Sequence, residues 1–302
     1  MFPIIPANSV AADSGNSEGI FGFGVATGTK YNTTNLVSNA GVVATDVTGI
    51  GTARYSGAAC EYGGDKGIFG FGRAPGVCAI TNLVSNTGVM ASDQAATTGT
   101  VRAELAGCSY GEDKGIFGFG TGSVTAVTNL VSNAGVVATD TAGVGTARYS
   151  VAACEYGDDK GIFGFGTVPP SYTAVTNLVS NAGVVATDTA GVGTARVGAA
   201  ACGYDGDKGI FGFGYDGGSR TAVTNLVSNA GVVATDTAGV GTGRNTLAAC
   251  EYDGDKGIFG FGDLGPSTSA ATNLVSNAGV VASDQATVTG TARYGVAACS
   301  FN

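Results

Sequence analysis

The chain has 302 residues, of which only 12% are charged, and its 14 basic and 23 acidic side chains leave a net charge of −9. It contains no histidine and no tryptophan, which excludes Ser-His-Asp and Cys-His catalysis and any imidazole metal ligand, while the acidic balance argues against a nucleic-acid partner. Apolar residues reach 44%, enough to build a core, but charged or polar residues interrupt every window of ~20 positions, so no membrane insertion is expected.

In chain order, residues 1–18 come first and open with MFPIIPANSV. Two early prolines and no basic stretch give no signal peptide. A protein made in the cytoplasm is therefore expected, with this segment as a tail or contact arm ahead of a single domain at 19–302. That domain is a repeat. IFGFG begins at Ile20, Ile68, Ile116, Ile162, Ile210 and Ile258, and TNLVSN begins at Thr34, Thr81, Thr128, Thr176, Thr224 and Thr272. Six copies of a unit of ~48 residues fill the chain, and such periodicity decides the architecture before anything else.

The copy that starts at Arg148 serves as the template. Four short extended segments are expected: a at 149–156 (YSVAACEY), b at 162–166 (IFGFG), c at about 174–181 (AVTNLVSN) and d from Val184 (VVATDT). Each is a run of β-branched, aromatic or small residues bounded by Gly, Asp or Asn, which fits strands, and recurrent glycine leaves no window for a capped helix. Four strands per unit at this period point to an all-β fold, a six-bladed β-propeller of four-stranded antiparallel blades. The last copy stops after Ala297-Ala298-Cys299-Ser300-Phe301, a segment a with no b after it, while the first copy has b but lacks a complete a. The C-terminal strand is therefore expected to join the first blade, leaving no free sheet edge at either terminus.

Twelve of the 14 phenylalanines occupy two positions of segment b: Phe21 and Phe23, Phe69 and Phe71, Phe117 and Phe119, Phe163 and Phe165, Phe211 and Phe213, Phe259 and Phe261. Strand alternation places both members of each pair on one face, with glycines baring the other, and reads them as structural core between blades. Six of the seven cysteines share one register of segment a: Cys60, Cys108, Cys154, Cys202, Cys250 and Cys299. Symmetry-related thiols point alike, so they are expected to be free and buried; Cys78 alone lies in a variable loop. Asp46, Asp93, Asp140, Asp188, Asp236 and Asp284 recur eight or nine residues before the arginines of the next segment a, and an Asp–Arg pair bracing each blade is expected. The carboxylates of Tyr-Asp-Gly-Asp-Lys-Gly at 204–209 and 252–257 are read as a solvated hairpin turn rather than a calcium loop.

The run Arg148, Ala152-Ala153-Cys154, then Gly157-Asp158-Asp159-Lys160-Gly161-Ile162-Phe163-Gly164-Phe165-Gly166 resembles the first hairpin of kelch repeats, and the resemblance covers about 20–302. It implies a propeller closed by its last strand. The chain departs from the kelch pattern in carrying Gly-Phe-Gly where a glycine doublet is usual, and it lacks the Tyr and Trp of the later strands. The near-identical units are also similar to kelch-like proteins of tailed bacteriophages, which implies a virion component or a part in host recognition.

The copies differ mainly in the b–c loops and the d–a junctions, which antiparallel order places at one end of the domain. Loops on a rigid scaffold are where contacts are made, so Lys30, Tyr31, Arg73, Tyr172, Tyr215, Asp216 and Arg220 are the candidate ligand contacts. An acid present in all six units is explained by the fold rather than by one active site. The sequence thus reads as a non-enzymatic binding or structural protein with no cofactor and no metal, its partner a protein in a larger assembly. The alternatives are a lectin for a surface glycan, with sites repeated between blades, and, behind both, an enzyme acting in a central channel.

Overall fold

A computed structural model describes residues 17–94, 99–285 and 290–301. Among them lie 22 strands and no helix, arranged as six three-stranded antiparallel sheets and two short two-stranded ribbons. In the template unit the inner strand Ala152–Tyr156 pairs with the middle strand Lys160–Gly164, which pairs with the outer strand Thr176–Val179. The inner hairpin turns through Gly157 and Asp158, at φ 60° and 65°. Two successive positive φ angles give the turn whose twist matches that of the strands, and Gly and Asp tolerate them best.

The expected fourth strand is reduced to isolated bridges. Val185 pairs with Val179 and Thr189 with Thr176, and the same two contacts recur in every unit. Asn177 accounts for the interruption: its Nδ2 donates to the Ala186 carbonyl and to Asp188 Oδ1, so a side chain takes the place of part of the main-chain ladder.

Each unit enters its sheet through Thr-x-Arg, and that arginine is the largest buried side chain of the unit. Arg148 stacks on Phe119 of the preceding sheet, 4.1 Å from the ring centroid. It donates Nε to the Phe165 carbonyl, Nη2 to Asn177 Oδ1 and Nη1 to the Thr146 carbonyl. Asp188 accepts from Thr146 Oγ1 at 2.6 Å and from Asn177, and it lies 4.0 Å from Nη1. The expected Asp–Arg brace thus exists, and its arginine is the one that opens the same unit. Burial lowers the Arg148 pKa to about 10, opposed by Asp188, so the group is charged at neutral pH. Burial alone would raise Asp188, but hydrogen bonds from Thr146 and Asn177 and the charge of Arg148 outweigh it and hold the carboxyl low.

The two phenylalanines of a unit sit on opposite faces, not on one. Phe163 meets Phe119 of the preceding sheet at 5.2 Å and Phe165 meets Phe211 of the next at 5.1 Å, both edge to face. The expectation of a shared face rested on unbroken alternation. Phe165 instead adopts φ 62°, and the ladders of the units with long middle strands shift register at this point. The bulge turns two successive residues to the same side. Gly164 therefore faces the next sheet, where a Cβ would stand 2.8 Å from Phe211 Cζ.

The same contacts run through all six interfaces and return to the start. Phenylalanine pairs link Phe23–Phe69, Phe71–Phe117, Phe119–Phe163, Phe165–Phe211, Phe213–Phe259 and Phe261–Phe21. The C-terminal strand Ala297–Phe301 pairs with Glu18–Gly22, Cys299 opposite Ile20. Arg293 stacks on Phe261 and donates to the Phe23 carbonyl and Asn35 Oδ1, while Thr291 donates to Asp46. Glu18 is thus part of the first sheet, and the Ser17 carbonyl accepts from Asp253 N; the rest of the expected arm, residues 1–16, lies outside the described residues.

The facing of Phe211 and Gly164 is testable by a double-mutant cycle in chemical denaturation. Phe211→Ala is expected to cost about 3–5 kcal/mol and Gly164→Ala about 1–3 kcal/mol by overpacking. In the Phe211→Ala background the glycine substitution should become nearly neutral, because the ring it meets is gone. Additive losses would contradict the arrangement.

Candidate functional site

At one end of the molecule the junction residues form a closed main-chain circuit. Glu104 N donates to the Ser56 carbonyl, Ser150 to Glu104, Gly198 to Ser150, Thr246 to Gly198, Gly295 to Thr246 and Ser56 to Gly295, at 2.7–3.4 Å. All six have positive φ, including Ser56, Glu104, Ser150 and Thr246 at 50–55°. That conformation costs a non-glycine residue about 1–2 kcal/mol, and the β-branched Thr246 is the most strained. The circuit holds these residues there. It frames a shallow pocket of about 70 Å³ floored by Leu105, Val151, Ala199, Leu247 and Val296.

The variable loops adjoin this circuit. Bridges tie each junction to the loop beside it: Tyr55 to Arg73, Ala103 to Thr121, Tyr149 to Thr167, Val197 to Tyr215, Asn245 to Asp263 and Tyr294 to Val25. Both variable regions therefore share one end. Of the sequence candidates, the structure brings Tyr172, Tyr215 and Arg220 together. The tyrosine rings meet edge to face at 6.1 Å, and the Arg220 guanidinium lies 5.8 Å from the Tyr215 ring. Asp216 closes the neighbouring turn by accepting from Gly218 N and Ser219 N, which lowers its pKa. Two candidate arginines act as braces between units. Arg220 donates to Asn245 and, at 2.6 Å, to Asp263; Arg73 pairs at 3.1 Å with Glu104, which also accepts from Ser150 Oγ. Lys30 ends a ribbon of the first unit, and Tyr31 N donates to the Gly24 carbonyl behind it. The partners Glu104, Asn245 and Asp263 were not singled out from sequence, because their role depends on which loops become neighbours.

The inner strands of all six sheets line a central cavity of about 60 Å³, roomy beside the ~10–15 Å³ one water needs. The six cysteines at this level are free and buried, and each Sγ faces a middle-strand glycine of the next sheet, as Cys108 faces Gly161. Burial pushes their pKa values up. Among the described residues no His, Cys, Asp or Glu group of three or more is placed to hold a metal.

One position further on, the ring reads Glu61, Ser109, Glu155, Gly203, Glu251, Ser300. A long carboxylate alternates with a small residue, and size explains the alternation. Glu251 lies where a Cβ on Gly203 would be, and Glu155 is hydrogen-bonded to Ser109. Glu251 N also donates to Ser300 Oγ at 2.9 Å. Burial, then the charges of Glu61 and Asp255, raise Glu251 to about 8. Glu155 is raised by burial and by Glu61 and Glu251. The pattern is visible in the sequence, but only adjacency around an axis gives it meaning.

Comparison with known proteins finds no family model that matches the chain and no curated protein that matches it.

The glutamate ring makes stability depend on pH. An ordinary Glu titrates near ~4.3, so Glu251, raised in the folded chain, contributes stability that is complete below that pH and lost as pH climbs through about 8. Glu251→Gln should therefore leave the melting temperature at pH 4 nearly unchanged and raise it at pH 8.5. An equal shift at both pH values would show that the carboxyl is not held protonated.

Proposed function

We propose that the six sheets are the blades of a closed β-propeller, and that its loop-bearing end is a non-enzymatic binding surface for a protein partner in a larger assembly. The observation that carries this reading is the hydrogen-bonded circuit through Ser56, Glu104, Ser150, Gly198, Thr246 and Gly295. It fixes the part of the chain where the units differ, while the clasps and phenylalanine pairs stay constant. Variable side chains on an immobile frame are the arrangement that recognition uses. The likeness to kelch-like proteins of tailed bacteriophages supplies a setting, a virion component that takes part in host recognition.

The Tyr172–Tyr215 pair favours a second reading, in which the partner is a surface glycan. Two half-buried rings at 6.1 Å offer apolar faces beside hydroxyl groups, which suits a sugar.

One experiment tests both. Labelled chain is applied to a panel of intact bacterial strains, before and after periodate oxidation or protease treatment of the cells. Retention on some strains is expected, and it should fall at least about ten-fold in a Tyr172→Ala, Tyr215→Ala variant of unchanged melting temperature, the loss expected when central aromatic contacts are removed. Periodate sensitivity assigns the partner to glycan and protease sensitivity to protein. Full retention of the variant, or binding to no strain, would contradict the assignment of this face.

A further inference from the structure

The circuit of junction residues closes around a pocket of uniform chemistry. Its floor is made one residue beyond the circuit in every unit, by Gly57, Leu105, Val151, Ala199, Leu247 and Val296. None of these has a polar side chain. The polar groups of the rim are already engaged within the chain. Glu104 accepts from Arg73 Nη2 at 3.1 Å and from Ser150 Oγ at 2.7 Å. Thr246 Oγ1 donates to the Asn245 carbonyl at 2.7 Å, and the main-chain groups of the circuit bond to one another. An occupant therefore meets an apolar floor and a rim whose one carboxylate is neutralised, so a buried charge would find no partner there. The room is about 70 Å³, roughly five to seven waters at ~10–15 Å³ each. That suits the few carbons of one leucine-sized side chain and is too small for a sugar ring.

The surroundings agree with an uncharged contact. Of the 11 tyrosines, five end inner strands and are buried. The other six, Tyr31, Tyr55, Tyr149, Tyr172, Tyr215 and Tyr294, all lie half-buried in the loops and junctions of this end. Tyr55, Tyr149 and Tyr294 immediately precede the circuit residues Ser56, Ser150 and Gly295. Tyrosines beside small polar residues, around a central pocket that excludes water, are the composition of a protein-recognition surface. The charges of the loops and junctions cancel, with Lys30, Arg73 and Arg220 against Glu104, Asp216 and Asp263. Two of these couples, Arg73–Glu104 and Arg220–Asp263, are joined as ion pairs.

We propose that this pocket is an anchor site, where a protein partner seats one uncharged aliphatic side chain, leucine or isoleucine, while the tyrosines contact the surface around it. The proposal rests on the reading of the loop end as a protein-binding face and adds the chemistry of its centre. Because no charge takes part, binding in the pocket is indifferent to salt. Ala199 is small where Leu105 and Leu247 stand in two other units. Leucine at 199 therefore fills the pocket with a side chain that the frame already accommodates at equivalent positions.

The test uses defined probes on the full chain. N-acetyl-leucinamide, N-acetyl-lysinamide and N-acetylglucosamine are titrated into the native chain and into Ala199→Leu, and the methyl resonances of Leu105, Val151, Leu247 and Val296 are followed. The leucine probe should shift them saturably and bind at least about ten-fold more tightly than the other two. Its affinity should hold constant between about 20 and about 500 mM sodium chloride and fall at least about ten-fold in Ala199→Leu. Val151→Leu, a smaller step in the same direction, replaces that variant should it fold poorly. No saturable shift, or equal binding to native and filled pockets, would overturn the proposal even if bacterial cells retain the chain. Equal binding of N-acetylglucosamine would overturn it in favour of a sugar site. Leucine binding that the filled pocket loses, with retention on no strain, would uphold the anchor and count against the bacterial setting alone.

Discussion

A guanidinium buried between two sheets is the constraint on which this architecture rests. Removing an arginine from solvent is costly, and the cost is offset only when its charge and its donors are met. Here a phenylalanine ring of one sheet receives the charge, two carbonyls and an asparagine receive the donors, and an aspartate stands 4.0 Å from the guanidinium. Lysine could not substitute, because a single ammonium offers neither the planar stacking face nor a fork of donors. Since one arginine contacts two sheets, it sets their spacing as well as their attachment.

The surrounding sequence follows from that clasp. Phe165, at φ 62°, presents its carbonyl to Arg148 Nε and its ring to Arg196 of the next unit. Glycine beside it leaves room for the next sheet's ring, and the asparagine of TNLVSN joins guanidinium to aspartate at the expense of a regular fourth strand. These positions hardly change between units because each serves two neighbours. The junction residues carry backbone strain and reach both neighbours through main-chain groups, so their side chains differ, as do the loops beside them. The molecule separates an invariant frame from a variable end by geometry.

Much of this was legible in the amino-acid sequence, because a repeat announces its own period. Segment Ala297–Phe301, left without a following hairpin, foretold its pairing with Glu18–Gly22. What escaped was whatever depends on a local break in alternation or on proximity between units. Phe165 was assigned to the wrong face, since nothing in IFGFG announces a bulge at a phenylalanine. The segment after Val184 has the composition of a strand, yet the Asn177 side chain intervenes. The partners of Arg73 and Arg220 were hidden for the same reason as the glutamate alternation: both exist only once separate units stand side by side.

In a closed ring the last clasp would equal any other, and that equality is the most direct test of the account. Arg293→Met and Arg148→Met are compared by denaturant unfolding. Arg293 reaches across 258 residues to Asn35, whereas Arg148 reaches 29 residues to Asn177. If the ring is closed, the two substitutions should destabilise alike, by about 3–5 kcal/mol. A severe loss for Arg148→Met beside a negligible one for Arg293→Met would mean that the termini do not meet and the circle is open.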